Sequence, residues 1–144
     1  MITIRQLLEV KGSDVWVVSP GAPVYTALEL MAEKDIGALL VMQEQDLVGI
    51  FSERDYARKV ILKGKASIDT PVQEVMTEHV HSLSPVQNIR DAMTLMTDER
   101  IRHLPVMAEG EVIGVISIGD VVKSIIEQQE FMITQLENYI TGAR

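Results

Sequence analysis

The feature that most constrains the fold is an internal repeat, because residues 18–61 align with residues 83–126 at a constant offset of 65 without a gap. Fourteen of the 44 aligned positions are identical, and many others exchange one apolar residue for another. The similarity extends upstream, where "IRQLL" (4–8) resembles "VQEVM" (72–76), with about three extra residues around "KGSD" in the first copy. Such self-similarity indicates two copies of one supersecondary unit that cannot bury its apolar face alone.

Each copy has the pattern β-α-β-β-α. A short apolar strand, at 14–18 and at 80–83, ends at Ser-Pro, which starts a turn. A helix with apolar residues at i, i+3, i+4 and i+7 follows, and then two strands joined by the short polar links "QEQD" and "AEGE". A second helix is predicted to begin at Ser52 and at Ser117. In the second copy this helix is predicted to run from about residue 118 to 141, with an apolar face long enough to meet a partner chain.

The predicted fold is α+β, with the two repeats packed sheet to sheet around a shared core, pseudo-twofold symmetry between them, and a long C-terminal helix. The expected domains are a first repeat with an N-terminal helix (1–66), a second repeat (67–130) and a helical extension (131–144). A pseudo-twofold axis between two such repeats creates two equivalent clefts.

Composition narrows the classes of function. The chain has 144 residues, of which 47% are hydrophobic, so it can build a substantial core. A formal net charge of −8 argues against non-specific binding to nucleic acid or to anionic membranes. The absence of cysteine excludes thiolate chemistry and is typical of a cytoplasmic protein. No signal peptide and no 18-residue uncharged apolar stretch is visible, so neither secretion nor a membrane span is expected.

One turn occurs in both copies, as "GIFSERD" (49–55) and "GVISIGD" (114–120). Ser followed three residues later by an acid is a capping box, which is a purely structural interpretation. The alternative is a binding site, because a helix N-terminus favours an anion and a carboxylate can accept hydrogen bonds from a vicinal diol such as a ribose. The Gly in each preceding strand indicates that something approaches closely there.

The segments "GALLVM…LVGIFSERD" and "RHLPVM…VIGVISIGD" resemble tandem CBS domains, the pair known as a Bateman module, over nearly the whole chain. The resemblance implies that clefts between the copies bind AMP, ADP, ATP, NAD(H) or S-adenosylmethionine as an effector, with no catalytic cofactor. It implies that Asp55 and Asp120 hold ribose hydroxyls. The residues it implies near phosphate or ribose are Ser52, Arg54, Ser117, Gly119, Arg102 and His103. Those it implies around the base are Val17, Val18, His81, Ser82, Ile118, Gly37 and Ala38.

The two clefts are not expected to be identical. Arg102-His103 in the second copy corresponds to Gly37-Ala38 in the first, and Glu53-Arg54 corresponds to Ile118-Gly119. Arginine suits phosphate because its planar guanidinium binds two oxygens at once. We therefore expect the clefts to prefer different ligands, one AMP and the other a larger dinucleotide.

Other interpretations stay open at this point. His79 and His81 could bind a metal with an acid such as Glu78 or Asp120, and Trp16 either stacks on an adenine or fills an interface. No nucleophile elbow, Walker loop or zinc-protease motif is present, so an enzyme is not expected. The favoured function is a non-catalytic adenine-nucleotide sensor that pairs as a homodimer and signals through an effector protein or its assembly state. The competing function is a ligand-free structural dimerisation or regulatory subunit.

Overall fold

The computed structural model describes residues 1–142 and confirms the predicted architecture of two similar halves followed by a long helix. The first half contains α1 (Ile4–Lys11), β1 (Val17–Val18), α2 (Val24–Lys34), β2 (Ala38–Gln43), β3 (Asp46–Ser52), α3 (Glu53–Asp55) and a π-helical segment (Tyr56–Ile61). The second contains a 3₁₀ turn (Val72–Glu74), α4 (Ile89–Glu99), β4 (His103–Ala108), β5 (Glu111–Ser117) and α5 (Ile118–Thr141).

The backbone repeats the offset of 65 seen in the sequence. In the first hairpin Ala38 pairs with Ser52, and the register shifts after Val41; in the second, His103 pairs with Ser117, and the register shifts after Val106. The non-glycine residues with positive φ also fall in pairs 65 apart, at the ends of α2 and α4 and in the two hairpin turns: Asp35 and Arg100, Glu44 and Glu109. The repeat is therefore a repeat of backbone geometry as well as of sequence.

The first strand of the second repeat is shorter than predicted. In the first repeat, β1 pairs in parallel with β2, and the Leu40 N–H donates to the Trp16 carbonyl at 3.2 Å. In the second repeat only one bridge, between Leu83 and Val106, remains. Pro105 stands where the first repeat has Leu40, and because proline has no N–H the corresponding bond to His81 cannot form. The predicted strand at 80–83 is thus reduced to a single bridge.

The buried residues form two clusters. The segment that precedes each repeat, residues 4–8 before the first and 72–76 before the second, packs in the core of the other repeat, and we call these the exchanged leading segments. Ile4, Leu7 and Leu8 of α1 lie in the core of the second repeat, together with residues of α4, β4, β5 and α5. Val72 and Val75 lie in the core of the first repeat. The sequence predicted one core shared by both repeats. The structure instead has two cores, and each contains residues from the leading segment of the other repeat. The helix grouped by sequence with the first repeat packs on the second, while the boundary at residue 66 stays a prediction.

The hydrogen bonds of the exchanged segments mirror one another. The Ile4 N–H donates to the Gln87 carbonyl at 2.7 Å, and the Val72 N–H donates to the Ala22 carbonyl at 2.8 Å. Position 22 corresponds to position 87 at the repeat offset, so both segments enter their host repeat in the same way.

The glycines of β3 and β5 make room for these exchanged segments. A Cβ added at Gly49 would lie 2.5 Å from Met76 Sδ, and one added at Gly114 would lie 2.6 Å from Leu8 Cδ2. Met76 and Leu8 occupy equivalent places in the two leading segments. The close approach inferred from these glycines is therefore made by a side chain of the protein, so the glycines do not themselves indicate a ligand.

Helix α5 extends beyond the core it helps to build. Val121 and Ser124 in its first turns are buried, whereas most apolar residues further along are exposed: Ile126, Phe131, Met132, Ile133, Leu136, Tyr139 and Ile140. Within residues 1–142, no helix combines the length and apolar character needed to cross a bilayer.

Candidate functional site: two clefts between the repeats

Two neighbouring cavities lie where the N-termini of α3 and α5 meet the opposite repeat. The Asp55 cleft has a volume of about 650 Å³, and its wall includes the α3 N-terminus, residues 79–81 and residues 99–103. The Asp120 cleft has a volume of about 340 Å³, and its wall includes the end of α1, Trp16, residues 35–40 and the α5 N-terminus. Both volumes fall in the range of about 300–1,000 Å³ typical of small-molecule sites.

Most of the residues that the sequence indicated lie on these walls. The Asp55 cleft is lined by Gly37, Ser52, Arg54, Asp55, His81, Arg102, His103, Ser117, Ile118 and Gly119. The Asp120 cleft is lined by Gly37, Ala38, His103, Ser117 and Asp120. The structure thus brings the two Ser-x-x-Asp turns and the Arg102-His103 pair together, while the role of each residue stays a prediction.

Val17, Val18 and Ser82 do not line either of these cavities. Val18 is buried in the core of the first repeat, and Val17 and Ser82 are exposed. The residues that face the clefts are one or two positions earlier, Trp16 and its equivalent His81.

Asp55 is held by the protein on both carboxylate oxygens. Its Oδ2 accepts hydrogen bonds from the Ser52 N–H at 3.0 Å and the Ser52 hydroxyl at 3.1 Å. Its Oδ1 accepts from the Thr77 hydroxyl at 3.1 Å and lies 2.9 Å from Lys59 Nζ. A carboxylate offers about four acceptor positions. The capping-box interpretation therefore describes Asp55 in this conformation, and both of its oxygens already have partners within the protein.

Asp120 has more freedom. Its Oδ2 accepts from the Ser117 N–H at 2.8 Å and from Lys11 Nζ at 2.7 Å, whereas its Oδ1 has no hydrogen-bond donor among the described residues. Its side chain is 23% exposed, against 7% for Asp55. Partial burial raises the pKa of Asp120, but hydrogen bonds from Lys11 and Ser117 outweigh this and hold the pKa below its usual value. Asp120 is therefore an ionised carboxylate with one oxygen available to a ligand.

His103 belongs to both clefts. Its ring lines both cavities and packs on Gly37, where an added Cβ would lie 3.2 Å from His103 Cε1. Burial lowers the pKa of His103 below its usual value, Glu53 and Asp120 oppose this, and Arg102 and Lys11 add to it. The imidazole is therefore neutral near pH 7 and forms a partition between the two sites.

The same pair of positions carries different chemistry in the two clefts. In the first repeat, Lys34 Nζ lies 4.4 Å from the centroid of the Trp16 ring, a cation–π contact. At the equivalent positions in the second repeat, Glu99 Oε2 lies 3.4 Å from His81 Nε2. The clefts share their backbone and differ in their side chains, as the sequence comparison predicted.

Among the cleft residues that the sequence comparison did not assign to a ligand are Lys11, Thr77 and His79. All three lie in or just after the exchanged leading segments, outside the gap-free repeat. The three-residue shift around "KGSD" hides their relation, since Lys11 pairs with His79 only at an offset of 68. Extending the alignment through that shift is the signal that would have found them.

The metal interpretation finds no support in residues 1–142. The rings of His79 and His81 meet edge to face with centroids 5.1 Å apart, and the carboxylate beside His81 belongs to Glu99. Within the described part of the chain, no group of three or more His, Asp or Glu residues is placed to hold a metal ion.

Comparison with known proteins decides the family. The family model described as CBS domain matches residues 1–62 and 72–127. The chain belongs to the CBS domain family. Two matched regions in one chain make it a tandem CBS protein, as the sequence resemblance predicted.

Both named proteins and proteins of solved structure are similar to this CBS pair. The mitochondrial CBS domain-containing protein CBSX3 of Arabidopsis thaliana is 40% identical over 136 residues, 91% of this chain and 66% of that protein. A CBS-domain protein from Burkholderia ambifaria MC40-6 is 49% identical with a TM-score of 0.87, covering 89% of this chain and 96% of that one. A CBS pair solved with 5′-methylthioadenosine and S-adenosyl-L-methionine is 18% identical with a TM-score of 0.79, covering 89% and 98%, and shows the fold alone.

CBS pairs are regulatory modules, and as a class they bind adenosine-containing ligands. Membership in this class, together with the clefts described above, limits the range of functions considered for the chain. It names neither a particular ligand nor a signalling role.

Proposed function

We propose that this CBS pair is a non-catalytic sensor that binds adenine nucleotides, AMP, ADP, ATP or NAD(H), in its two clefts and transmits occupancy as a change in the relative orientation of the repeats. The observation that carries the proposal is the pair of cavities between the repeats, each reached by the N-terminus of a Ser-x-x-Asp helix. A ligand that spans both repeats shifts their arrangement only if it binds one arrangement better than the other.

The Asp55 cleft is suited to the phosphates of the larger ligand. Arg54, Arg100 and Arg102 line it, and Arg54 Nη1 donates to the Arg100 carbonyl at 2.8 Å, which holds the guanidinium across the boundary between repeats. Its volume of about 650 Å³ is nearly twice that of the other cleft. We assign a dinucleotide such as NAD(H), or ATP, to this cleft.

The Asp120 cleft is suited to a mononucleotide such as AMP. Asp120 Oδ1 is available to a ribose hydroxyl, and Trp16 in the same wall offers an aromatic face to an adenine. These two groups are the ones that a nucleoside needs, a hydrogen-bond acceptor for the diol and a stacking surface for the base.

A thermal-shift series tests the proposal. We expect at least one of AMP, ATP, NAD, NADH and S-adenosylmethionine to raise the unfolding midpoint by about 5–10 °C at a hundred times its dissociation constant. GMP is the control for base recognition. If none of the adenine ligands raises the midpoint at millimolar concentration, the sensor function is refuted, and the ligand-free structural subunit becomes the better description.

The exposed face of α5 is proposed to join two copies into a homodimer. A helix of 24 residues is about 36 Å long, and beyond Ile125 its apolar residues are exposed within residues 1–142. Native mass spectrometry is expected to show twice the 16.0 kDa chain mass. Leu136→Glu should shift the population to monomer, whereas Gln135→Glu, which adds the same charge one position away, should not. A monomeric wild type at micromolar concentration refutes this part.

The remaining elements of the proposal concern what lies beyond the clefts. An effector protein is proposed to receive the signal, and the ligand is proposed to be an effector and not a substrate. The cytoplasmic location inferred from the cysteine-free sequence stays a prediction, since the Arabidopsis relative is named a mitochondrial protein.

A further inference from the structure

We propose that Lys11 is a specificity-determining residue of the Asp120 cleft, supplying the positive charge through which this cleft prefers phosphorylated nucleosides to unphosphorylated ones. The inference rests on the proposed function and adds to it a residue outside the gap-free repeat. It starts from the contact between Lys11 Nζ and Asp120 Oδ2 at 2.7 Å.

Lys11 is positioned at the cleft by the packing of α1 on the second repeat. Helix α1 ends at Lys11, and Gly12 follows with φ of 98°, a conformation that favours glycine and ends the helix at the cleft wall. One turn earlier, Leu7 and Leu8 are buried in the core of the second repeat. The position of Lys11 is therefore fixed by packing, and its side chain is 29% exposed within the cleft wall.

The remaining charges of this cleft repel an anion. Asp14, Asp35 and Asp120 contribute carboxylates, and the lowered pKa of His103 leaves its ring neutral near pH 7. Lys11 is the sole lysine or arginine among the residues that line this cavity, all of which lie within residues 1–142. Lys34 stands nearby, but its ammonium lies over the Trp16 ring. A phosphate entering this cleft thus depends on Lys11 for a cation.

The carboxylate of the other cleft takes its ammonium from a different position. Asp55 is paired with Lys59, four residues along its own chain segment, and Lys59 does not line the Asp55 cavity. The residue equivalent to Lys59 in the second repeat is Ser124, which is buried. The second repeat therefore has no lysine at that position, and the ammonium beside Asp120 comes from α1.

The hydrogen bonds of Lys11 leave one donor for a ligand. An ammonium has three N–H donors. One donates to Asp120 Oδ2 and a second to the Val115 carbonyl at 2.6 Å. The third is available to a phosphate oxygen, while Asp120 Oδ1 accepts from the ribose. A nucleoside without phosphate uses the carboxylate and leaves the third donor without a partner.

Trp16 provides a signal specific to this cleft, because it is the single tryptophan of the chain and lines the Asp120 cavity. Titrations of AMP and adenosine against Trp16 fluorescence, with calorimetry for total binding, give separate dissociation constants. In wild type we expect AMP to bind more tightly than adenosine. Lys11→Met should weaken AMP by about tenfold or more, as loss of a charged hydrogen bond predicts, and change adenosine by less than about threefold.

Two further variants complete the test. Lys11→Arg keeps the charge and should keep the preference for AMP. Lys123→Met removes an exposed lysine from α5, near Asp120 in sequence but outside both cavity walls, and should leave both constants unchanged. In wild type, raising the salt concentration should weaken AMP more than adenosine, a measurement that does not depend on the variant folding.

The possible failures are distinct. If neither ligand changes Trp16 fluorescence or releases heat in wild type, the proposed function of this cleft fails. If wild type binds AMP and Lys11→Met binds it equally well, or loses AMP and adenosine to the same extent, Lys11 is a structural residue and the inference is overturned. A salt response that is equal for AMP and adenosine overturns it as well.

Discussion

Asp55→Ala is expected to lower the free energy of unfolding by about 2–3 kcal/mol, whereas Asp120→Ala should lower it by about 1 kcal/mol. The difference follows from the partners of the two carboxylates. Asp55 is buried, accepts hydrogen bonds from Ser52 and Thr77, and forms an ion pair with Lys59. Asp120 is partly exposed, and Lys11 can turn to solvent when the carboxylate is removed.

Urea denaturation of the three proteins measures this difference. Asp55→Asn serves as the control, since its amide oxygen keeps part of the hydrogen bonding and should recover part of the loss. The same variants then separate stability from binding: Asp120→Ala should remain folded and bind ribose-containing ligands more weakly. If both alanine variants lose the same stability, the two turns have one structural role and the assignment of Asp120 to a ligand loses its basis.

Gly49→Ala is the second substitution with a large expected effect, about 2 kcal/mol of lost stability, against about 1 kcal/mol for Gly114→Ala. Both added methyl groups collide with a side chain of an exchanged leading segment. At Gly49 the methyl group would also lie 3.0 Å from the Thr77 carbonyl oxygen. Thr77 cannot retreat easily, because its backbone exchanges hydrogen bonds with Ile50 at 2.9 and 2.8 Å.

An added methyl group at Gly114 is easier to accommodate, because the three nearest atoms all belong to the side chain of Leu8, which can move. A double variant, Gly114→Ala with Leu8→Ala, should therefore cost less stability than the sum of the two single variants. Additive losses, or a larger loss at Gly114 than at Gly49, would show that the exchanged segments do not control these positions.

The architecture could be predicted from the sequence because the two copies of the repeat show the same order of strands and helices. An ungapped offset transfers the order of the elements from one half to the other, and the pairs Asp35 with Arg100 and Glu44 with Glu109 show that the backbone obeys the same offset. Local deviations came from single residues. Pro105 removes a ladder donor and shortens a strand, an effect that the apolar pattern of residues 80–83 does not register.

The site was harder to predict than the fold. The turns around Ser52 and Ser117 were found from their type and spacing, and both line cavities. The orientation of Val17 and Ser82 was not, because a two-residue strand gives too short a pattern to fix which face is buried. The contact between Lys11 and Asp120 joins opposite ends of the chain, and only packing of α1 on the second repeat brings them together.

The exchange of leading segments also determines the order in which the chain can be completed during synthesis. Helix α1 leaves the ribosome before both repeats, yet the buried residues it packs against, among them Leu83, Ile116 and Val121, are made in the second half of the sequence. The first repeat closes earlier, once Val72 and Val75 have emerged. Because domains form as their residues become available, the amphipathic segment of α1 lacks the apolar residues it packs against until the start of α5 is made. A ribosome stalled before Val121 therefore holds a nascent chain in which the apolar face of α1 is exposed to chaperones.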